Sequence, residues 1–351
     1  MFCMKIGAIP ETLLERIAFA LGLVPTPLVD TSAMFILVRT IIVATKLRIF
    51  ESLASQSRTA GDVAAFCGTD VAATNKLLDA LVSSGYLHAS NSCYRLSGIS
   101  RTWLLESSPV SLYDAILFAE VEWNWMTHLG EFIQSGTPLD FHTTMTPNEW
   151  ACYQRAMRSL ASIAAPEVAQ RLPVPRGARD MLDIGGSHGY YSVAICRRHK
   201  GVRAIVLDLP QAITYAAPLL AKEGMGDRVV HWEADVLVED LGTEKYDLVF
   251  IAQLIHHFDG ATNRVLMQRI ERALRPGGYL AILEAIRPPA TRTSSQVANL
   301  LSLYFAFTSR SGTWSSAEIA AWHHDAGLQR KRIVRFLKMP GIGAYIAVKP
   351  Q

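Results

Sequence analysis

The sequence predicts an α/β protein with a mostly parallel sheet in its C-terminal half, behind a helical N-terminal domain that ends in a hairpin. Three observations predict it. From Asp180 onward short apolar runs alternate with helical patterns, the rhythm of parallel strands crossed by helices. The run Met181-Leu182-Asp183-Ile184 ends in the glycine-rich turn Gly185-Gly186-Ser187-His188-Gly189, and the next run, Val206-Leu207-Asp208, ends in an acid. Residues 1–110 read instead as helix, helix, helix, hairpin. The expected division is 1–110, a helical segment 111–175, and 176–351.

Composition limits the classes of function. A chain of 351 residues, half of them apolar and 19% charged, is globular and long enough for two cores. The net charge is +3, and lysines and arginines are scattered, which argues against a nucleic-acid partner. Five cysteines at irregular spacing, without a CxxC pair, fit reduced thiols in the cytoplasm. The apolar start is broken by Glu11, Glu15 and Arg16, so it is not read as a signal peptide. The run at 33–44 is apolar on nearly all sides but carries Arg39 and reads as too short for a bilayer, so no membrane partner is expected. It asks for burial against another surface.

The elements follow in order. Residues 12–23 read as a short helix and 31–55 as one or two more. Two amphipathic helices open on the caps Thr59 and Asp70, the second ends at Gly85, and residues 86–96 turn at Ser90-Asn91-Ser92. This is a winged-helix layout, whose obvious use is DNA binding. Yet the would-be recognition helix sets Asp70 and Asp79 against the single Lys76, the wrong charge for a groove. Residues 111–136 and 147–172 read as two long helices, and Pro173-Val174-Pro175 as a linker. Strands are expected at 181–184, 206–208, 229–235, 246–253 and 279–284. A helical pair at 295–307 and 315–327 precedes a closing hairpin, 329–337 with 343–349.

The glycine turn limits the cofactor. The dinucleotide fingerprint would put Ile184 in its first glycine slot, and no Gly-Lys-Ser/Thr follows for a phosphate loop. Gly185 and Gly186 lack a Cβ, which allows a sharp turn and a close ligand. Asp208, 25 residues after Asp183, can accept two hydrogen bonds from ribose hydroxyls. Asp183-Ile-Gly-Gly-Ser-His-Gly resembles the first motif of S-adenosylmethionine-dependent methyltransferases, and Asp208-Leu-Pro resembles the ribose-binding acid of their small-molecule O-methyltransferase branch. The helices and hairpin of the N-terminal domain are similar to that family's dimerisation domain, in which the partner subunit buries the apolar helix.

The resemblance implies a Rossmann-like methyltransferase sheet with an antiparallel last strand, a homodimer, and S-adenosylmethionine as cofactor. It places Asp183, Gly185, Gly186, Ser187, Asp208 and Leu209 around the cofactor, with Asp235 at the adenine and Val236 and Gln253 beside it. His256, in Leu254-Ile255-His256-His257-Phe258-Asp259, takes the position of the family's catalytic base, and His257 replaces an aspartate. Glu284 matches the glutamate that flanks that base. A histidine suits removal of a hydroxyl proton at neutral pH. The resemblance puts Trp123, Tyr153, Met157, His257, Asn299, Leu303 and Phe307 along the acceptor. The sequence departs from plant members at Ala252-Gln253, where they carry a lysine, and near Thr313, where they carry a second glutamate. The expected reaction is O-methylation of a small, aromatic or polyketide-like metabolite. No Asn/Asp-Pro-Pro-Tyr follows the fourth strand, which argues against methylation of DNA or protein amines. A C-methyltransferase acting on an enolisable keto acid, with or without a metal, and a non-catalytic winged-helix regulator remain open. The two adjacent histidines cannot grip one ion alone, and no metal site is expected.

Overall fold

The computed structural model describes residues 6–288, 295–309, 311–339 and 341–351. The chain divides into two compact units between Glu122 and Trp123, inside the helix Tyr113–Met126.

In the first unit the expected caps form. Thr59 accepts from the Asp62 N–H while Asp62 accepts from that of Thr59, and Asp70 accepts from the Ala73 N–H, opening the helices Ala60–Cys67 and Val71–Ser83. The hairpin joins β2 (Leu87–Ser90) to β3 (Cys93–Leu96) across Asn91 and Ser92, both left-handed, a two-residue turn whose twist suits paired strands. A strand the sequence did not announce, β1 (Arg58–Thr59), pairs with β3. Ile49, Phe50, Leu53, Leu78, Leu81 and Leu87 fill the core. On the helix Val71–Ser83, Asp79 is held by the Tyr94 hydroxyl at 2.8 Å and the Asn75 amide at 3.1 Å.

The apolar run at 33–44 departs from expectation. It belongs to a helical stretch from Thr26 to Lys46, 21 residues, long and apolar enough to cross a membrane, so length does not exclude a span. Its Arg39 and Lys46 both pair with Glu120 of this unit, at 3.8 and 2.8 Å. Phe35, Ile36 and Val38 stay exposed on it, and Leu13 and Leu14 on the preceding helix Leu13–Ala20.

The second unit is built on a seven-stranded sheet in the order β6-β5-β4-β7-β8-β10-β9. The strands are β4 (Asp180–Ile184), β5 (Arg203–Asp208), β6 (Val229–Glu233), β7 (Tyr246–Ala252), β8 (Leu274–Ala285), β9 (Gln329–Arg335) and β10 (Ile342–Val348). β4 to β8 are mutually parallel, and β10 runs antiparallel between β8 and β9. This is the mostly parallel sheet with a late antiparallel strand that the sequence predicts. Both faces of its centre are covered: Leu182, Val206, Leu248, Phe250 and Ile282 are fully buried, as a parallel sheet between helical layers requires. The chain winds from β4 outward to β6, then returns to β7 on the other side. The order reverses between β4 and β7, and a crevice opens there at the carboxyl ends of the strands.

The expected helix at 111–136 breaks in two, Tyr113–Met126 and Leu129–Ser135, at a turn where Thr127 hydrogen-bonds the Asn124 carbonyl through both its N–H and its hydroxyl. The helix Pro147–Arg171 starts from a Thr146–Glu149 capping box. The expected pair appears as Gln296–Thr308 and Ser316–Asp325.

Candidate active site

The loop after β4 is shaped by its own acid. Asp183 is buried, and its Oδ2 accepts a 2.6 Å hydrogen bond from the Ser192 hydroxyl of the following helix. A Cβ on Gly186 would stand 2.5 Å from Asp183 Cγ and 2.7 Å from a Val206 methyl. That glycine is therefore required by the acid and the strand beneath it, and the expectation that its missing Cβ makes room for a ligand is replaced by this one. Gly185, left-handed, would press a Cβ against Leu254, while Ser187 holds a left-handed φ of 50° although it is not a glycine. Such a residue costs about 1 kcal/mol or more and persists only where its surroundings fix it. They do so here: Ser187 donates its N–H to Asp208 at 2.8 Å and its hydroxyl to Gln154, and its carbonyl meets His231 Nε2 at 2.8 Å.

Burial pushes the Asp183 carboxyl up to about 7, the Asp208 charge adding to it against the Ser192 hydrogen bond. Burial likewise lifts Asp208 to about 6, against the N–H groups of Leu209 and Ser187, which it accepts at 2.8 Å each. Each Asp208 oxygen keeps lone-pair capacity for a neighbouring diol. Asp235, just past β6, turns one oxygen to the Leu237 N–H at 2.8 Å. Gln253, just past β7, is the second non-glycine wall residue in the left-handed region, φ 53°, and its N–H bonds the Leu283 carbonyl.

These groups face a cavity of about 630 Å³. Of the cofactor candidates, Gly185, Ser187, Asp208, Leu209, Asp235, Val236 and Gln253 line it, and Asp183 and Gly186 lie beneath. Of the acceptor candidates, Tyr153 and His257 line it. Trp123, Met157, Asn299, Leu303 and Phe307 are not among its described walls. Tyr153 meets the cavity with Trp150 and Gln154 of the same helix, and Met157 lies one turn too far along. Asn299 is turned back toward the Ser295 carbonyl, and Leu303 is partly exposed. Phe307 is buried against Phe132, but its carbonyl accepts the Leu139 N–H at 2.7 Å. That bond ties the insert helix to residues 137–142, which supply much of the second wall and carry His142. Sequence reading missed this segment because it sits between the helical patterns and has no period.

Behind His257 lies the third element. His256 sits on a 3₁₀ turn, Ile255–His257, whose first carbonyl accepts from both Asn263 Nδ2 and Trp314 Nε1 at 2.9 Å. Its Nδ1 is 3.1 Å from each oxygen of the fully buried Glu284, and its ring stacks on Phe305 with centroids 4.0 Å apart. Glu284 Oε1 also accepts the Ala285 N–H. With Nδ1 committed, Nε2 is the ring nitrogen left to exchange a proton. The side chain that the insert helix sets against His256 is Phe305, which offers no metal donor. Thr313 bonds Ser302 instead of supporting the base.

An α/β domain with a glycine loop and two carboxylates at the strand-order reversal, beside a buried histidine–glutamate pair, defines an enzyme for a nucleoside cofactor. Comparison with known proteins narrows the class. The family model for the O-methyltransferase domain matches residues 112–329, and the model for the O-methyltransferase dimerisation domain matches residues 29–106. The S-adenosyl-L-methionine-dependent methyl transferase PigF of a Serratia species is 25% identical over 84% of this chain and 88% of its own. The 3-hydroxy-5-methyl-1-naphthoate 3-O-methyltransferase of Streptomyces sahachiroi is 24% identical over 92% and 94%. The structure of human N-acetylserotonin methyltransferase in complex with SAM superposes with a TM-score of 0.81 at 19% identity, covering 97% of this chain and 99% of that one. The chain belongs to the O-methyltransferase family and carries that family's dimerisation domain. It is an S-adenosylmethionine-dependent O-methyltransferase.

Proposed function

We propose that this enzyme methylates a hydroxyl of a small aromatic metabolite, with His256 as general base and Glu284 as the group that orients it. The observation that carries the proposal is the buried contact of His256 Nδ1 with both Glu284 oxygens at 3.1 Å. The cofactor fits the residues present. Asp208 has free lone pairs for a ribose diol, Asp235 stands one strand further along, and the left-handed Ser187 and Gln253 bring main chain to the cavity. S-adenosylmethionine, when bound, supplies a methyl group on a sulfonium. The protein holds the acceptor hydroxyl in line with that methyl and takes its proton at His256 Nε2. The charge of Glu284 then stabilises the imidazolium, and the proton leaves to solvent with the product.

The acceptor class is supported by the relatives, one of which acts on a hydroxynaphthoate, and by the aromatic wall of Trp150 and Tyr153. We assign residues 1–110 to dimerisation, 111–175 to a helical segment that supplies acceptor wall, and 176–351 to cofactor binding. The exposed Phe35, Ile36 and Val38 support burial by a second copy, and the free Cys67, Cys93 and Cys196 suit a reducing cytoplasm.

The test is a labelled-methyl assay over phenol, polyketide and keto-acid panels with His256→Ala. A positioned base contributes about 10²- to 10⁴-fold, so turnover should fall by that factor while cofactor affinity stays within about two-fold. Near-normal turnover overturns the assignment. Methyl appearing on carbon with the keto-acid panel moves the reaction to an enolisable carbon acid.

A further inference from the structure

His256 is the innermost of three imidazoles. The His257 ring lies 4.4 Å from it, and the His142 ring lies 5.1 Å from His257, edge-on at 62°. His142 is flanked by Phe141, Trp150 and Tyr153, with centroids at 3.9, 5.6 and 6.1 Å. His142 and His257 both line the cavity, and among the described residues neither ring makes a hydrogen bond. Burial, opposed by the charge of Asp140 and reinforced by His256, brings His142 down to about 4. Burial first, and then the other two histidines, hold His257 well below its usual value. Each ring is therefore neutral at physiological pH and presents one donor and one acceptor nitrogen. Imidazole nitrogens that line a cavity without a protein partner are open to a polar atom of whatever occupies it. The base and the methylated hydroxyl account for His256 alone, and the surplus hydrogen-bonding capacity lies further along the same file.

We propose that His142 reads a second polar atom of the acceptor. The substrate class is then an aromatic hydroxyl compound carrying at least one further uncharged oxygen or nitrogen, placed across His257 from the reacting group. The proposal rests on the reading of this cavity as the acceptor site. A site built to hydrogen-bond a substrate atom discriminates against the analogue that lacks it more strongly than a purely apolar pocket does. His142 is in this reading a specificity residue, and proton removal stays with His256.

The experiment measures affinity by calorimetry in the presence of S-adenosylhomocysteine, with 1-naphthol and dihydroxynaphthalenes as matched probes. The full-length protein is compared with His142→Phe, which keeps a flat ring among the aromatic neighbours but has no ring nitrogen, and with His142→Gln, which keeps a donor and an acceptor. The wild type should prefer its best dihydroxy probe by about ten-fold or more; His142→Phe should bring the ratio to about one by weakening that probe alone, and His142→Gln should restore part of it. Equal affinities in the wild type, including no measurable affinity for either probe, overturn the proposal, as does an unchanged ratio in His142→Phe. If His142→Phe does not bind S-adenosylhomocysteine, it is misfolded and His142→Gln decides: an altered ratio supports the proposal and an unaltered one overturns it. Failure of the methyltransferase reading would show elsewhere, as a wild type that does not bind the nucleoside or as a His256→Ala enzyme that keeps its turnover.

Discussion

Replacing Glu284 with glutamine tests the base assignment at its most exacting point. The substitution keeps size and shape in a fully buried site and removes one charge. The Ala285 N–H, at 2.9 Å from Oε1, anchors the oxygen of the new amide there and leaves its NH₂ in the place of Oε2, 3.1 Å from His256 Nδ1. An NH₂ donates, so it favours Nδ1 as the acceptor with the ring proton on Nε2, in competition with the amide oxygen, which also lies 3.1 Å from Nδ1. That is the nitrogen which has to receive the substrate proton, and in this tautomer it cannot. The imidazolium formed during transfer also loses a carboxylate in contact. Loss of tautomer control in a histidine–carboxylate pair costs about 10⁴-fold in hydrolases of the triad type. The expected fall in kcat for Glu284→Gln is therefore about 10³- to 10⁴-fold, with the affinity for S-adenosylhomocysteine unchanged. The assay is single-turnover transfer of labelled methyl, with calorimetry on the same preparation and thermal melting as the check on folding. A folded, cofactor-binding variant whose kcat falls by less than about ten-fold refutes the reasoning.

Three more outcomes follow from the same structure. Asp183 has a folded pKa of about 7 against an ordinary 3.8, so its contribution to stability is full below about pH 4 and is lost as pH rises through about 7. The nucleoside-free Asp183→Asn protein should accordingly melt higher than wild type at pH 8, by the equivalent of up to about 4 kcal/mol, and the gap should close toward pH 4; a gap independent of pH contradicts the buried, raised carboxyl. Asp208→Asn should weaken cofactor binding by about 10- to 100-fold, the loss of a charge-assisted hydrogen bond, with a much smaller change in kcat at saturating cofactor; calorimetry with S-adenosylhomocysteine reads it, and unchanged affinity removes Asp208 from the ribose. Ile36→Asp, at a residue 62% exposed on the apolar helix, should shift the protein from dimer to monomer in light scattering, and a dimer unaffected by the charge moves the interface elsewhere.

Much of the fold was legible in the sequence because its elements announce themselves locally. Thr59 and Asp70 cap the helices they introduce, and the apolar runs ending at Ile184, Asp208 and Ala252 are strands. Their carboxyl ends carry the acids and the His256 turn, so the cofactor side of the site follows from strand order. The acceptor side does not, because it depends on residues far apart in the chain. Residues 137–142 reach the cavity through a main-chain bond to Phe307 that no composition records. Gln154 follows Tyr153 directly, and only the helix's placement shows that it holds the Ser187 hydroxyl. Gly186 was read as room for a ligand, whereas the Asp183 carboxyl already fills that room. The apolar helix is longer than its most apolar run, because the pattern fades before the helix does.

The bond from Leu139 to Phe307 has a consequence for how such an enzyme can change its substrate. It joins two otherwise separate pieces of the chain through an amide and a carbonyl, groups that almost every residue possesses. Exchanging side chains at 137–142, or at Thr308 where the helix Gln296–Thr308 meets the cavity, therefore alters what the pocket tolerates without unfastening its enclosure. New selectivity is reachable here by single substitutions, while the strand-end carboxylates and the histidine–glutamate couple stay in register.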